Sequence, residues 1–278
     1  MRFGSFEIFF ASDGNFLLDG GAMFGVVPKV LWEKKNKADE FNRIQLSMNS
    51  MAVSKKDILI LIETGIGEKY DSKFEEIYGL NPQINLIKSL KVIDIEPEDI
   101  NFVINTHLHF DHCGGNTKKF NNKIVPTFRN AKYLIQKAEW ENALNPDDRS
   151  KASYLNENIL PLEEHKNLEL VDGDVEIVEG VYLKAIPGHT RGHQCVLIDT
   201  GSERIFFTGD LIPTSSHVPI SYVMAYDLFP LETINNKKII LQQAYEENWI
   251  LAFYHDPEYS MVRVVKDAKE KWSFEPFG

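Results

Sequence analysis

The chain has 278 residues, of which 43% are hydrophobic and 26% are charged, so it is long enough and apolar enough to bury a substantial core. Its 30 Lys and Arg residues stand against 41 Asp and Glu residues, which gives a net charge of -11. This acidic balance excludes a general phosphate-backbone binder, and we expect no nucleic-acid partner.

Two strand pairs are predicted near the N terminus, where short β-rich runs flank turn residues. They are residues 2–11 and 16–18 around a turn at 12–15, and residues 44–53 and 58–64 around a turn at 54–57. Between the pairs, residues 20–37 contain Met23, Phe24 and Trp32 but show neither strand nor helix periodicity, which predicts a long apolar loop. Such a loop either binds a ligand or folds over the core.

Helices and strands are predicted to follow one another along the rest of the chain. Helices are expected at residues 72–78, 83–90, 136–144, much of 147–166, 231–247 and 262–271, and strands at residues 100–105, 131–135, 175–178, 181–186, 195–198, 204–207 and 249–254. Two clusters of strands, each followed by helices, indicate an α/β (α+β) fold with two packed sheets and helices outside, in four layers. Because no linker or repeat divides the chain, we expect one domain over residues 1–278.

Compartment and membrane contacts are predicted from the cysteines and the apolar runs. Cys113 and Cys195 fit neither a disulfide framework nor a zinc ribbon, and Cys113 is expected to be a buried small residue rather than a nucleophile. The apolar runs fall well short of the roughly 20 residues that span a bilayer, and no secretory signal is evident. We therefore expect a cytoplasmic protein with no membrane partner.

The segment richest in chemical information follows the strand predicted at residues 100–105. Within six residues it carries three imidazoles and a carboxylate, namely His107, His109, Asp111 and His112. Borderline divalent cations prefer these donors. A histidine-rich surface loop is the alternative, but an apolar strand leads into the motif and two glycines follow it, as expected of a strand that delivers ligands into a tight turn.

Three further donors, His189, Asp210 and His255, each follow an apolar strand. Loops at sheet ends converge, so all seven donors can meet at one edge of the two sheets. His193 is expected to be packed or hydrogen-bonded rather than an eighth ligand. His165 and His217 have no donor-rich context and are expected at the surface.

In order and spacing, these motifs resemble those of the metallo-β-lactamase-fold hydrolases. The resemblance rests on His107-x-His109-x-Asp111-His112, Gly188-His189-Thr190, Gly209-Asp210 and His255-Asp256-Pro257. It implies an αββα sandwich that holds two divalent metal ions, with zinc as the first expectation and manganese, iron or cobalt as alternatives. By position, His107, His109 and His189 would hold one ion, Asp111, His112 and His255 the other, and Asp210 would bridge them.

Two such ions lower the pKa of a shared water, which provides a nucleophile at neutral pH without a catalytic serine or cysteine. Asp111 is the candidate catalytic acid and base, because it is placed to accept a proton and pass it on. A role as metal ligand only is the alternative, since both uses need the same carboxylate position.

The loop at residues 20–29 and the stretch after Asp210 resemble the branch that contains N-acyl-homoserine lactone lactonases and phosphotriester hydrolases. This resemblance implies a small-molecule lactone or ester substrate, and we expect a quorum-quenching lactonase. An apolar loop over a metal pair suits an acyl tail, so Met23, Phe24 and Tyr222 are the predicted substrate-binding residues. Trp32 and Phe24, in one exposed patch, would favour a homodimer through this loop.

Two positions depart from the pattern of this branch. Pro213 stands where many of its lactonases carry a tyrosine that hydrogen-bonds the substrate carbonyl, and Tyr222 or Tyr226 is the candidate replacement. Glu63 stands where the family often has an aspartate, which bears on metal choice. A phosphotriester or aryl-ester hydrolase is the second hypothesis, because the same hydroxide would attack P=O and C=O alike. A glyoxalase II-like thioesterase or a non-catalytic metal-binding protein are lesser ones.

Overall fold

The computed structural model describes residues 1–278. Its helices and strands form two mixed seven-stranded sheets and one separate hairpin, which confirms the predicted α/β class. The strands are β1 (Arg2–Phe3), β2 (Phe6–Asp19), β3 (Arg43–Lys55), β4 (Ile58–Ile62), β5 (Phe102–Ile104), β6 (Thr117–Phe120), β7 (Lys123–Pro126), β8 (Lys132–Gln136), β9 (Leu168–Val171), β10 (Val175–Val178), β11 (Val181–Ala185), β12 (Gln194–Asp199), β13 (Arg204–Phe207), β14 (Ile250–Ala252), β15 (Met261–Lys266) and β16 (Trp272–Pro276). The α-helices are α1 (Gly20–Phe24), α2 (Lys29–Trp32), α3 (Ser72–Tyr78), α4 (Leu86–Val92), α5 (Phe110–Cys113), α6 (Lys137–Leu144), α7 (Asn156–Glu164) and α8 (Pro230–Glu246).

One sheet has the strand order β1-β2-β3-β4-β5-β8-β9, and the other runs from β10 to β16 in chain order. The pairs β4–β5, β5–β8, β8–β9 and β13–β14 are parallel. Parallel strands need crossover connections, and helices supply several of them here. The carboxyl ends of β4, β5 and β8 therefore lie at the same edge of the sheet. The first donor motif follows the carboxyl end of β5 at this edge.

The chain separates into two compact units, each made of two stretches of chain. Unit 1 comprises Met1–Gly14 and Met48–Gly173, and unit 2 comprises Asn15–Ser47 and Asp174–Gly278. The single domain expected over residues 1–278 stays a prediction.

Each unit has its own hydrophobic core. In unit 1, the apolar residues of β5 and β8 pack with α6 and α7, with Val103, Tyr133 and Trp140 all buried. In unit 2, α8 buries a stripe that includes Leu241 and Ala244 against the sheet residues around Phe206. Burial of these apolar side chains is the main term that stabilises each unit.

The predicted hairpin at residues 12–15 is wrong, because β2 continues through these residues without a turn. Asp13 is buried there, and its carboxylate accepts hydrogen bonds from the backbone amides of Gly67 (3.0 Å) and Leu86 (2.7 Å). Its polar side chain therefore ties two other segments to the strand. The second predicted pair is confirmed, since β3 and β4 are antiparallel with Lys55 opposite Ile58.

The predicted loop at residues 20–37 is also wrong, because it contains the short helices α1 and α2. The Asp19 carboxylate caps α1 by accepting from the Ala22 amide at 2.8 Å. Phe24 and Trp32 are fully buried and stack with ring centroids 5.3 Å apart. They are therefore not an exposed patch, and the homodimer stays a prediction without that support.

The predicted C-terminal helix at residues 262–271 is wrong as well, because strands β15 and β16 pair there. Val262 and Val264 are buried at alternating positions, as β-branched residues are in a strand. Arg263 and Lys266 lie on β15 itself, and the remaining charges lie in the connecting turn, where the Asp267 carboxylate accepts from the amides of Lys269 and Lys271. Strands β6, β7 and β9 were not predicted from the sequence.

None of the helices is both long and apolar enough to cross a membrane. Cytoplasmic location and the absence of nucleic-acid and membrane partners stay predictions.

Candidate metal centre

In unit 1, the four donors of the first motif follow β5 and lie on α5 and the loop that leads into it. His107 and His112 are fully buried, and His109 and Asp111 have 8% of their surface exposed. His107 Nε2 lies 3.0 Å from His109 Nδ1, and His112 Nε2 lies 3.7 Å from an Asp111 oxygen. His107 and His112 offer ligand atoms within 4.8 Å of each other. The structure thus brings these four predicted donors together.

Buried groups behind this motif orient two of the imidazoles. The Thr106 hydroxyl donates to Glu63 and lies 3.0 Å from His107 Nδ1, so it accepts the proton of that nitrogen. Glu63 Oε1 also lies 3.2 Å from His112 Nδ1. Such contacts fix the tautomer and the orientation of both rings, as the partners of metal-binding histidines do. Glu63 holds this place in the left-handed region, with φ 66, which is uncommon for a residue with a side chain.

The loop that carries His109 rests on a second buried carboxylate, Glu139. Its Oε1 accepts from the Leu108 amide at 2.9 Å and from the Tyr154 hydroxyl at 3.1 Å. The Tyr154 ring lies edge-on to His109, with centroids 5.0 Å apart. Sequence analysis placed Glu139 on a helix and gave it no role, since nothing in its local pattern points to the loop.

In unit 2, the other three predicted donors also come together. One Asp210 oxygen lies 3.3 Å from His189 Nε2, and the other lies 3.3 Å from His255 Nε2. All three residues are buried. A carboxylate that turns a different oxygen toward each of two imidazoles can contribute one donor to each of two cations.

The far nitrogens of both rings in unit 2 are also bonded. His189 Nδ1 lies 2.9 Å from Asp227, and His255 Nδ1 lies 2.9 Å from the Ser47 carbonyl. A carbonyl oxygen only accepts, so Nδ1 of His255 is the donor of this hydrogen bond. The contact of Asp227 with the candidate ligand His189 was not predicted from the sequence, because the two residues lie 38 positions apart.

His193 is hydrogen-bonded, as predicted. Its Nδ1 lies 3.1 Å from the Ile186 carbonyl, and its Nε2 accepts from the Asp210 backbone amide at 3.0 Å. Both nitrogens are used within the protein, and the second bond fixes the backbone of Asp210.

The surface position predicted for His217 is wrong. The ring is fully buried, stacks on Phe24 with centroids 4.5 Å apart, and lies 2.8 Å from the Met23 carbonyl. Burial lowers the pKa of His217 to about 3, so the ring is neutral at physiological pH. His165 is exposed and Cys113 is buried, as predicted, and burial raises the pKa of the Cys113 thiol.

The predicted substrate-binding residues pack largely against protein. Met23 has 1% and Phe24 0% of its surface exposed, and the half-buried Tyr222 stands edge-on to Phe24 at 6.0 Å. Their role in substrate binding stays a prediction. Pro213 offers no hydroxyl; its carbonyl accepts from the His255 amide at 3.1 Å.

An aromatic cluster beside the first motif went unrecognised in the sequence. Tyr70, Phe74, Tyr78 and Phe110 form a chain of ring contacts with centroids 4.4 to 6.0 Å apart. A cavity of about 240 Å³ is lined by Ile66, Lys69, Tyr70, Asp71, Phe74, Phe110, Leu155, Glu157 and Asn158. Burial raises the pKa of Tyr78, and the nearby Asp111 charge adds to this effect. Phe110, which lines this cavity, lies in the chain between the predicted ligands His109 and Asp111.

The donors fit divalent metals by their chemistry. Imidazole nitrogens and carboxylate oxygens are what zinc and its neighbours in the first transition row prefer. Four of the five rings have their other nitrogen engaged by a hydroxyl, carboxylate or carbonyl, the support typical of metal-binding histidines.

Comparison with known proteins agrees with this chemistry. Residues 44–255 match the profile of the metallo-beta-lactamase superfamily. An N-acyl homoserine lactonase from Bacillus thuringiensis is 31% identical over 211 residues, which cover 72% of this chain and 77% of the relative.

Two solved structures are similar over most or all of their length. A probable metal-dependent hydrolase from Staphylococcus aureus is 30% identical and covers 100% of both chains, with a TM-score of 0.91. An N-acyl homoserine lactone hydrolase, solved with the product N-hexanoyl-L-homoserine at its catalytic metal centre, is 25% identical. It covers 93% of this chain and 95% of its own, with a TM-score of 0.69.

Proposed function

The chain belongs to the metallo-beta-lactamase superfamily and is a hydrolase, and on that premise we propose that it opens the ring of N-acyl homoserine lactones. The observation that carries the proposal is the aromatic cavity at Phe110, which lies between the proposed ligands His109 and Asp111. This arrangement suits a substrate with a hydrolysable head and an apolar tail. The lactonase relatives support the same substrate class.

We assign the seven donors to two divalent cations. His107, His109 and His189 would hold one, Asp111, His112 and His255 the other, and Asp210 would contribute an oxygen to each. The support is the donor chemistry within each unit and the way the two Asp210 oxygens face different histidines. When bound, two such ions supply a hydroxide nucleophile at neutral pH and neutralise charge that develops on the ester oxygens.

The residues of the chain orient these groups and move the proton. Hydrolysis joins the oxygen of water to the lactone carbonyl carbon, breaks the ring C–O bond and leaves a proton on the released hydroxyl. Asp111 is the proposed carrier of that proton, because its carboxylate is part of the motif and lies 3.7 Å from His112 Nε2. Thr106 and Glu63 keep the two rings behind it in a fixed orientation.

The acyl tail is proposed to lie in the aromatic cavity. Transfer of methylene groups from water onto Phe74 and Phe110 contributes about 0.8 kcal/mol for each fully buried CH₂. The cavity also has polar residues, among them Lys69 and Glu157, so its apolar surface is limited. We therefore expect a preference for tails of medium length.

Phosphotriester or aryl-ester hydrolysis is the second candidate, and the residue at position 213 favours it. A proline there removes the hydroxyl that many lactonases use on the substrate carbonyl. A hydroxide nucleophile attacks P=O and C=O groups alike.

The test is an assay of the purified protein with its metals quantified. The substrates are acyl homoserine lactones of several chain lengths, γ-butyrolactone, paraoxon and S-lactoylglutathione. The proposal predicts the highest kcat/KM on an acyl homoserine lactone, loss of that activity in His109→Ala, and unchanged activity in the matched exposed-histidine control His165→Ala.

Brisk triester hydrolysis without ring opening would reverse the ranking of the two candidates. Inactivity on every ester, with two metals bound per chain, would refute both and leave a non-catalytic metal-binding protein.

A further inference from the structure

A buried lysine in unit 2 is joined to the loop that faces it. Lys237 lies on α8 with none of its surface exposed. Its ammonium donates to the carbonyls of Pro219 at 2.8 Å and Tyr222 at 2.7 Å. Both acceptors belong to residues 219–227, here called the 219–227 segment. Lys237 therefore fixes the beginning of this segment to α8.

The end of the same segment is bonded to the loop of His189. Asp227 is 1% exposed; one of its oxygens lies 2.9 Å from His189 Nδ1, and the other accepts from the Met224 amide at 3.2 Å. The amides of Leu228 and Phe229 donate to the carbonyls of His189 and Gly188. The segment thus runs from the lysine to the histidine with both ends tied.

A lysine in this position is costly to the fold. Burial lowers the pKa of Lys237 to about 7, and no carboxylate lies within ion-pair distance of its nitrogen, although the charge of Asp227 acts in the opposite direction. An unpaired buried cation destabilises a protein unless hydrogen bonds satisfy it. Methionine would fill similar space without this cost, so the lysine is better explained by the carbonyls that it holds.

We propose that Asp227 and Lys237 are positioning residues for the metal centre. Asp227 acts on His189 directly, because it binds the proton of Nδ1 and leaves the Nε2 lone pair toward the metal. Lys237 acts through the 219–227 segment, because it holds the backbone that carries Asp227. This inference rests on the proposed function in one respect, the role of His189 as a metal ligand.

The test follows metal transfer from the holoenzyme to a chromophoric zinc chelator. The variants are Asp227→Asn, which keeps the shape but removes the negative charge, and Lys237→Met. Exposed Lys238 gives the matched control Lys238→Met. Buried Ile240 on the same helix gives Ile240→Val, a control for loss of stability alone. Melting temperature and the separate values of kcat and KM are measured for each variant.

We expect Asp227→Asn to weaken zinc affinity by about 10- to 100-fold, the usual effect of removing such a partner. Lys237→Met is expected to weaken it by roughly 2- to 30-fold, as remote coupled positions do. Lys238→Met and Ile240→Val are expected to keep the zinc affinity of the parent.

Wild-type zinc affinity in both Asp227→Asn and Lys237→Met would overturn the inference while leaving the proposed function standing. A Lys237→Met protein that melts earlier but holds zinc like Ile240→Val would overturn the role of the lysine. A parent protein that binds no divalent metal, neither as purified nor after incubation with zinc, manganese, iron or cobalt, would overturn the inference and the proposed function together.

Discussion

Replacement of Asp13 by asparagine removes a buried titrating group and is expected to change how stability depends on pH. Burial raises the pKa of Asp13 from 3.8 to about 6, although the amides of Gly67 and Leu86 favour its charged form. Folding therefore favours the protonated carboxyl. Its stabilising contribution is fully present below pH 3.8 and is lost as the pH rises through about 6.

The size of the effect follows from the pKa difference between the folded and the unfolded chain. A shift of this size corresponds to about 3 kcal/mol in total, of which about 2 kcal/mol falls between about pH 4.5 and 7.5. The asparagine that replaces Asp13 does not titrate, so its cost to the fold is the same at each pH. Relative to Asp13→Asn, the parent is expected to lose about 2 kcal/mol of unfolding free energy over that interval.

Urea unfolding of both proteins at a series of pH values measures this difference. Effects of other titrating groups, including the proposed metal ligands, cancel between the two proteins. A difference that stays constant within about 0.5 kcal/mol from about pH 4.5 to 7.5 would show that the pKa of Asp13 is alike in the folded and unfolded chain, contrary to this prediction.

The other predictions concern the site and its surroundings. Asp210→Ala removes the oxygens that face two histidines, and we expect it to lose both bound metal and hydrolase activity by elemental analysis and kcat/KM; full activity would contradict the assigned centre. Phe110→Ala removes tail contacts worth about two methylenes, so kcat/KM should fall about tenfold more for a decanoyl than for a butanoyl lactone. An equal loss for both substrates would place the tail elsewhere. Cys113 and Cys195 are buried, so Ellman's reagent should label neither in the native protein and both after unfolding, and rapid native labelling would contradict their burial.

The strands and the donor motifs were readable in the sequence because both are local signals. The apolar run of β5 and the donors from His107 to His112 are neighbours in the chain, and the structure brings these donors together. His189 and His255 each follow an apolar strand, and Nε2 of each lies 3.3 Å from an Asp210 oxygen. His193 was predicted to be hydrogen-bonded rather than a ligand, because the other seven donors already complete the set. Its two hydrogen bonds within the protein confirm that it is hydrogen-bonded.

The wrong predictions for residues 12–15, residues 20–37 and His217 have a common physical cause, the tertiary environment of a polar or aromatic residue. Asp13 is a typical turn residue, but here it accepts amides from distant segments inside a continuous strand. His217 and Trp32 lie in two separate stretches of sequence without strand or helix periodicity. Both rings stack on Phe24 in the folded chain, and no local pattern indicates this contact.

The groups that support the ligands could not be found from the sequence for a related reason. Asp227 and Glu139 contact their partners across 38 and 31 positions, and no local pattern marks such a pair. The aromatic cluster around Phe110 likewise joins two helices, α3 and α5, from different parts of the chain.

We propose that seven side chains hold two cations that supply the hydrolytic nucleophile. An anomalous difference map from crystals of the metal-loaded protein would locate these cations without relying on activity. We expect two peaks, each within about 2.0 to 2.2 Å of its assigned histidine nitrogens and carboxylate oxygens, with Asp210 contacting both. A map in which the metal peaks lie away from these seven residues, or in which fully loaded protein shows none beside them, would contradict the account.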